Sequence, residues 1–202
     1  PIGGAASGNF TFRLAATNKM ADTALGIEAP MGQDVLEMKI KTKVLLVSRI
    51  YYQSQYFVNS GSVPPKVRQK TTYTVVWELS NFSNNVSSVL VETFLGPNVS
   101  WEGSFTPKNA KISYNNELRK VVWNVGTLSA GTGFSRPIKQ VVFQIALTPA
   151  QDQISQLALL IGQTKMAGID EFASSSITSA TEPIYSNLPD DPTINNQGIV
   201  QP

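Results

Sequence analysis

The feature that most constrains this chain is apolar alternation with a period of two, broken at short intervals by turn residues. In residues 35–47, Leu36, Met38, Ile40, Val44 and Leu46 fall on one side. Glu37, Lys39, Lys41 and Lys43 fall on the other, and Thr42 interrupts the apolar row. A strand puts every second side chain on one face, whereas a helix would scatter these residues around its axis. Thirteen extended residues reach about 43 Å, longer than most strands of a globular domain. The segment therefore either bends at a bulge or runs beyond one sheet. The alternation also occurs upstream, where Phe10, Phe12 and Leu14 follow a Gly/Ala/Ser-rich leader, Pro1 to Gly8.

Further strands follow at short spacing. Ile50 to Val58 is aromatic-rich, and the cluster Asn59-Ser-Gly-Ser-Val-Pro-Pro65 then marks a boundary between two units. Beyond it, strand patterns cover Thr71–Leu79, Val86–Phe94, Val99–Trp101, Lys111–Tyr114, Lys120–Val125, Ile138–Leu147, Leu157–Gln163 and Ser176–Thr181. Asn115-Asn116 is placed as a hairpin turn. Short strands spaced by turns predict a two-sheet sandwich. Ala150–Leu160 reads either as a short helix after Pro149 or as a buried strand over Leu157–Ile161. Pro183, Pro189 and Pro192 make the end of the chain extended rather than sheet-forming. The expected organisation is a partial β-sandwich unit over 1–60, a complete sandwich over 61–185 and an extended acidic tail over 186–202. Three strands can hardly close a sandwich, so another segment or subunit is expected to complete the first unit.

Composition narrows the chemistry. The 202 residues contain no His and no Cys, which removes Ser-His-Asp and Cys-His nucleophiles, imidazole and thiolate metal sites, and disulfides. Carboxylate, Lys and Tyr chemistry remains, but Asp170-Glu171 would point to opposite faces of a strand and make a poor glycosidase pair. No enzyme activity and no cofactor are expected. No apolar run approaches the ~18–20 residues of a membrane span. A start at Pro1 fits a processed mature protein or an excised fragment.

Charged residues are 15% of the chain, against roughly 25% in an average protein. The net +2 divides unevenly. Residues 1–140 carry 15 basic and 8 acidic groups, and residues 141–202 carry one Lys against six acids. The basic segment 39–70 reads as a solvated strand face rather than a nucleic-acid surface. Attraction between oppositely charged ends of neighbouring chains is the third reading.

The stretches Thr72-Tyr-Thr-Val-Val-Trp-Glu-Leu-Ser-Asn81, Val89-Leu-Val-Glu-Thr-Phe-Leu-Gly-Pro-Asn-Val-Ser-Trp101 and Val122-Trp-Asn-Val-Gly-Thr-Leu-Ser-Ala-Gly131 resemble the conserved-repeat immunoglobulin-like domains of prokaryotic surface proteins. Leu95-Gly-Pro97 stands where that family has a Leu-Pro pair, and Glu92 where an Asp is usual. The resemblance covers residues 65–185. It implies an all-β, immunoglobulin-like sandwich on a cell surface, in tandem with others and without catalysis.

Candidate sites follow from these readings. Phe10, Phe12 and Leu14, or else the tail, are candidate donor strands for a neighbouring copy. Lys39, Lys41 and Lys43 with Asp190 and Asp191 are candidate inter-subunit charges. Of four Asn-x-Ser/Thr sequons, Asn81 and Asn85 fall in a turn and are candidate glycosylation sites. Calcium at Asp190-Asp191 with Asn195, Asn196 and Gln197, an isopeptide bond from Lys70 or Lys43 beside Glu92, and sugar stacking on Trp77, Trp101 and Trp123 are weaker alternatives. The aromatics fit a core better. The expected function is that of an extracellular filament or surface-fibre subunit whose partner is itself, assembling head to tail by strand donation. The alternative is a tandem stalk or adhesin module of a larger cell-surface protein, with glycan as a ligand.

Overall fold

The computed structural model describes residues 9–22, 27–194 and 197–202, with side chains described outside 18–34. The leader Pro1–Gly8 lies outside the described residues, as do Asn195 and Asn196 of the calcium alternative.

The long alternating segment runs beyond one sheet. Its first half ends β2 (Ile27–Ile40), which pairs antiparallel with β1 (Phe10–Asp22) in a two-stranded ribbon. Its second half opens β3 (Val44–Tyr51) in the body of the molecule. Lys41–Lys43 join the two, and Thr42, the residue that breaks the alternation, is buried there.

The body is a two-layer sandwich. One sheet has the order β3–β4–β9–β6, with β4 Thr71–Asn81, β9 Lys139–Leu147 and β6 Val99–Thr106. The other has the order β12–β11–β5–β8–β7, with β5 Val86–Phe94, β7 Lys111–Asn115, β8 Lys120–Leu128, β11 Thr164–Asp170 and β12 Ser175–Thr181. Taken in chain order, β3, β4, β5, β6, β9, β11 and β12 correspond to strands A to G of the immunoglobulin fold. The first sheet then reads A-B-E-D and the second G-F-C. The β7–β8 hairpin is an insertion between D and E that extends the second sheet past C, and its turn starts at Asn115-Asn116 as expected.

Inward residues of both sheets make one core, which includes Tyr73, Val75, Trp77, Leu79, Val91, Trp123 and Phe143. Trp77 and Phe143 meet edge to face at 4.9 Å between ring centroids, and the Trp77 indole N–H donates to Ser48 Oγ at 3.1 Å. Trp77 and Trp123 are therefore core residues, not a sugar platform.

Two expectations about organisation change, and one open choice is decided. The Asn59–Pro65 turn does not separate two sandwiches, because β3 pairs with β4 along its whole length. The described residues before Asn59 therefore supply strand A of the same sandwich plus the ribbon. Only Gln151–Gln153 of Ala150–Leu160 form a 3₁₀ turn, and Leu159–Ile161 are a strand, β10. The tail is not extended: turns closed by the N–H groups of Leu188, Asp191 and Ile194 on the carbonyls of Tyr185, Leu188 and Asp191 follow one another, and they are pinned to the body. β13 (Ile184–Tyr185) pairs with β10, while Leu188, Ile194 and Val200 enter the core. Chain reversal at Gly96 explains the Leu-Gly-Pro departure noted above. A Cβ at Gly96 would collide with the Leu159 carbonyl oxygen, so Gly96→Ala is expected to cost about 2 kcal/mol or more in a denaturant titration.

Candidate assembly surface

The ribbon is an arm. β1 and β2 pack on each other and make no extended contact with other strands among the described residues. Pairing sets Phe10 opposite Ile40, Phe12 opposite Met38 and Leu14 opposite Leu36. Residues opposite one another share a face, so six large apolar side chains form one continuous surface. Each is about half exposed, from 48% at Phe10 to 55% at Leu14 and Leu36. Thr11, Arg13, Glu37 and Lys39 occupy the other face. A contiguous exposed apolar surface of this kind is characteristic of interaction sites. The three candidate donor residues are thus brought together with Leu36, Met38 and Ile40 of the long alternating segment.

A buried polar knot holds the root of the arm. Asp170 is fully buried. Its Oδ2 accepts from the Thr42 N–H at 2.7 Å and Asn84 Nδ2 at 2.9 Å, and its Oδ1 accepts from the N–H groups of Phe172 and Ala173, both at 2.9 Å. Burial alone would push its pKa up, but these four donors together hold it below the ordinary carboxylate value. The Thr42 hydroxyl donates to Asn81 Oδ1 at 2.8 Å and accepts from the Ser83 N–H at 2.9 Å. Asn84 Nδ2 also donates to the Ile40 carbonyl at 2.9 Å, reaching the last residue of β2. Sequence reasoning missed this knot because its members lie up to 128 residues apart. The one local signal was Thr42 breaking an apolar row.

The knot overturns one candidate. Asn81 is wholly buried, and its amide donates to the carbonyl oxygens of Asn84 and Leu128 at 2.7 and 3.0 Å. No glycan fits there without unfolding the turn. Asn85, four residues on, is exposed.

The charge candidates divide as well. Lys39, Lys41 and Lys43 are exposed at the arm root, with the Lys39 ammonium 5.0 Å from the Phe172 ring centroid. Asp190 is exposed toward the opposite end of the sandwich, whereas Asp191 is buried. Asp191 Oδ2 accepts from the N–H groups of Tyr52 and Gln53 at 2.7 and 3.1 Å, and Oδ1 from the Thr193 N–H at 3.0 Å. Its carboxylate therefore fastens the tail to the end of β3 and is neither a free surface charge nor a vacant calcium ligand. Glu92 pairs with Lys120 at 2.6 Å and Lys70 with Glu102 at 2.6 Å, which separates the groups of the isopeptide alternative.

Asp191 is also held below its ordinary pKa by hydrogen bonds that outweigh burial. A carboxyl depressed in the folded state stabilises above its unfolded pKa, and that contribution disappears as pH falls through the folded value. Acidification below about pH 4 is therefore expected to loosen the arm root and the tail together. Amide exchange at Thr42, Tyr52, Gln53 and Ala173 should accelerate before that of the core strands.

Among the described residues no helix is long and apolar enough to cross a membrane. No protein-family model matches the chain, and no curated protein matches it either. Among solved structures, a variant of BcpA, the major pilin subunit of Bacillus cereus, is similar at 9% identity and a TM-score of 0.46, covering 84% of this chain and 47% of that one. The full-length major pilin SpaD of Corynebacterium diphtheriae is similar at 8% identity and a TM-score of 0.45, covering 71% of this chain and 35% of that one. The chain thus spans less than half the length of either pilin.

Proposed function

We propose that this protein is a non-enzymatic extracellular structural subunit that assembles with copies of itself, head to tail, into a surface filament. The arm is the donated element. The observation that carries this reading is the six-residue apolar face of the arm, which none of the described residues covers. Donation takes the form of a hairpin rather than a single strand, since β1 is already paired with β2. Among the described residues the ribbon still has an unpaired edge on each strand, and such edges add to the sheets of other chains. A contact between different surfaces of identical copies propagates unless it closes into a ring. The resemblance to prokaryotic surface-repeat domains supports the extracellular setting.

Negative-stain imaging and light scattering on the full chain test the proposal. Filaments or a concentration-dependent ladder are expected. The full chain carrying Phe12→Glu, Leu36→Glu and Met38→Glu should remain monomeric with an unchanged melting temperature, because these side chains support nothing in the sandwich. Assembly by the triple variant as readily as by the parent would refute the role of the arm. A parent that stays monomeric at every concentration would favour the tandem-stalk alternative.

A further inference from the structure

The two long sides of the sandwich differ. On one, β3 and β12 come together at a corner, and Val44, Leu46, Ile50 and Ile177 are buried beneath it. The other side is open. There β6 and β7 are the edge strands of their sheets, and Trp101, Phe105, Ala110, Ile112, Tyr114 and Val125 pack against the core while only partly covered. The ladder of β6 is broken between Trp101 and Phe105, around Gly103 at φ 73°. Past Thr106 and Lys111 the edges of β9 at Lys139–Val141 and of β8 at Val125–Leu128 have no strand beside them. The result is a furrow that deepens at each end, beside Trp101 and Tyr114 at one and beside Trp123 and Ile138 at the other.

The furrow has two unlike ends. At the end away from the arm root it is aromatic, with the Trp101 and Tyr114 rings stacked at 6.1 Å. At the end nearer the root it opens into a cleft of ≈ 520 Å³ beside Trp123, Val125 and Ile138, flanked by Lys111 and Lys139 with no acid in its lining. Lys108 is exposed beside it. The arm carries the complementary order. Its proximal half bears the apolar face, and its distal half, residues 18–34, carries Asp22, Glu28 and Asp34 against Lys19. The arm is also long enough to span the body. Fourteen residues of β2 extend about 46 Å, and the eleven of β4, which set the body length, about 36 Å. A ribbon two strands wide also suits the roughly 10 Å between packed sheets.

We infer that the furrow between β6 and β7 is the acceptor for the arm of a second copy. The proximal apolar face lies over Trp101, Phe105 and Tyr114, an arrangement in which a segment of net negative sequence follows toward the end of the furrow that carries Lys108, Lys111 and Lys139. The chain's own arm is poorly placed to do this, since it leaves from β3, the edge strand farthest from β6. Head-to-tail stacking presents the aromatic end of the next copy first, in the order in which the arm's two halves would meet it. This inference deepens the filament reading and rests on it.

The absence of native Cys makes cross-linking a clean test. Full chains carrying Ala16→Cys, Ser113→Cys on the β7 edge, or Thr178→Cys on the outer face of β12 are mixed in pairs and treated with a short bifunctional maleimide. The Ala16–Ser113 heterodimer is expected to exceed the Ala16–Thr178 heterodimer at least ~10-fold. Preferential linkage to Thr178, or between two Ala16→Cys chains, would overturn the acceptor assignment while leaving the filament reading intact. Chains monomeric at every concentration would remove that reading and this inference together. As a second measurement, Lys108→Glu, Lys111→Glu and Lys139→Glu combined should raise the concentration at which assembly begins by about 10-fold or more without changing the melting temperature. An unchanged onset would overturn the electrostatic half of the contact.

Discussion

Removing residues 186–202 is expected to leave the protein largely unfolded. The segment looks dispensable by sequence, being proline-rich, polar and terminal. In the structure Leu188 and Val200 are each 1% exposed and Ile194 5%. Burying a side chain of this kind contributes about 1.5–3 kcal/mol, so three of them account for roughly 5–9 kcal/mol. The Ser186 hydroxyl adds a bond to the Gly198 carbonyl and accepts from the Ala158 N–H, and Asp191 adds its bonds to β3. A domain has only about 5–15 kcal/mol of net stability. Circular dichroism of the truncated chain should show loss of the cooperative melt near room temperature. A truncated protein melting within a few degrees of the parent would show that the tail is an accessory strap.

Asp170→Asn is the second large effect. The carboxylate accepts four hydrogen bonds from neutral donors, and no cation is needed to hold it. An amide keeps one acceptor oxygen and turns an NH₂ toward N–H groups already pointing at it. Hydrogen bonds to a charged group contribute about 1.5–3 kcal/mol each, and loss of one oxygen removes two of them. A destabilisation of about 3 kcal/mol is expected, lowering the melting temperature by roughly 6–12 °C for a domain of this size. The loss should concentrate at the arm root, with Thr42 and Ala173 amides exchanging faster while Val75 and Phe143 keep their relative protection. Uniform loss of protection throughout the sandwich would make Asp170 a general core residue and not the fastening of the arm. The variant should also lose the acid-dependent step assigned to this carboxyl.

The sandwich was largely legible because its strands alternate and are punctuated. Tyr73, Val75, Trp77 and Leu79 share a face because of period two alone, and Asn115-Asn116 sits where a hairpin must turn. Alternation gives sidedness, however, and does not say what lies against a side. Phe10, Phe12 and Leu14 alternate just as Tyr73 and Val75 do, yet one row is exposed on an arm and the other is buried in the core. Asn81 and Asn85 carry the same sequon, but a hydroxyl from β3's approach and a carbonyl from β8 bury the first and not the second. Asp190 and Asp191 look alike in sequence, but the turn that the Asp191 N–H closes on the Leu188 carbonyl leaves the first exposed and turns the second inward. Asp170 and Asp191 are both internal, so the charge contrast between the two ends is smaller at the surface than along the chain. None of these distinctions is local, which is why a linear pattern could not separate them.

The arm also has a mechanical consequence. It is a lever about 46 Å long fixed at one end, so a rotation of 10° at its root displaces the far end by roughly 8 Å. Where the arm can reach is therefore governed less by its own stiffness than by the three residues Lys41–Lys43 and the carboxylate that grips the middle one. In the proposed filament, small changes in that grip would alter the angle between successive subunits, and over many repeats a few degrees at Thr42 would set the pitch of the whole assembly.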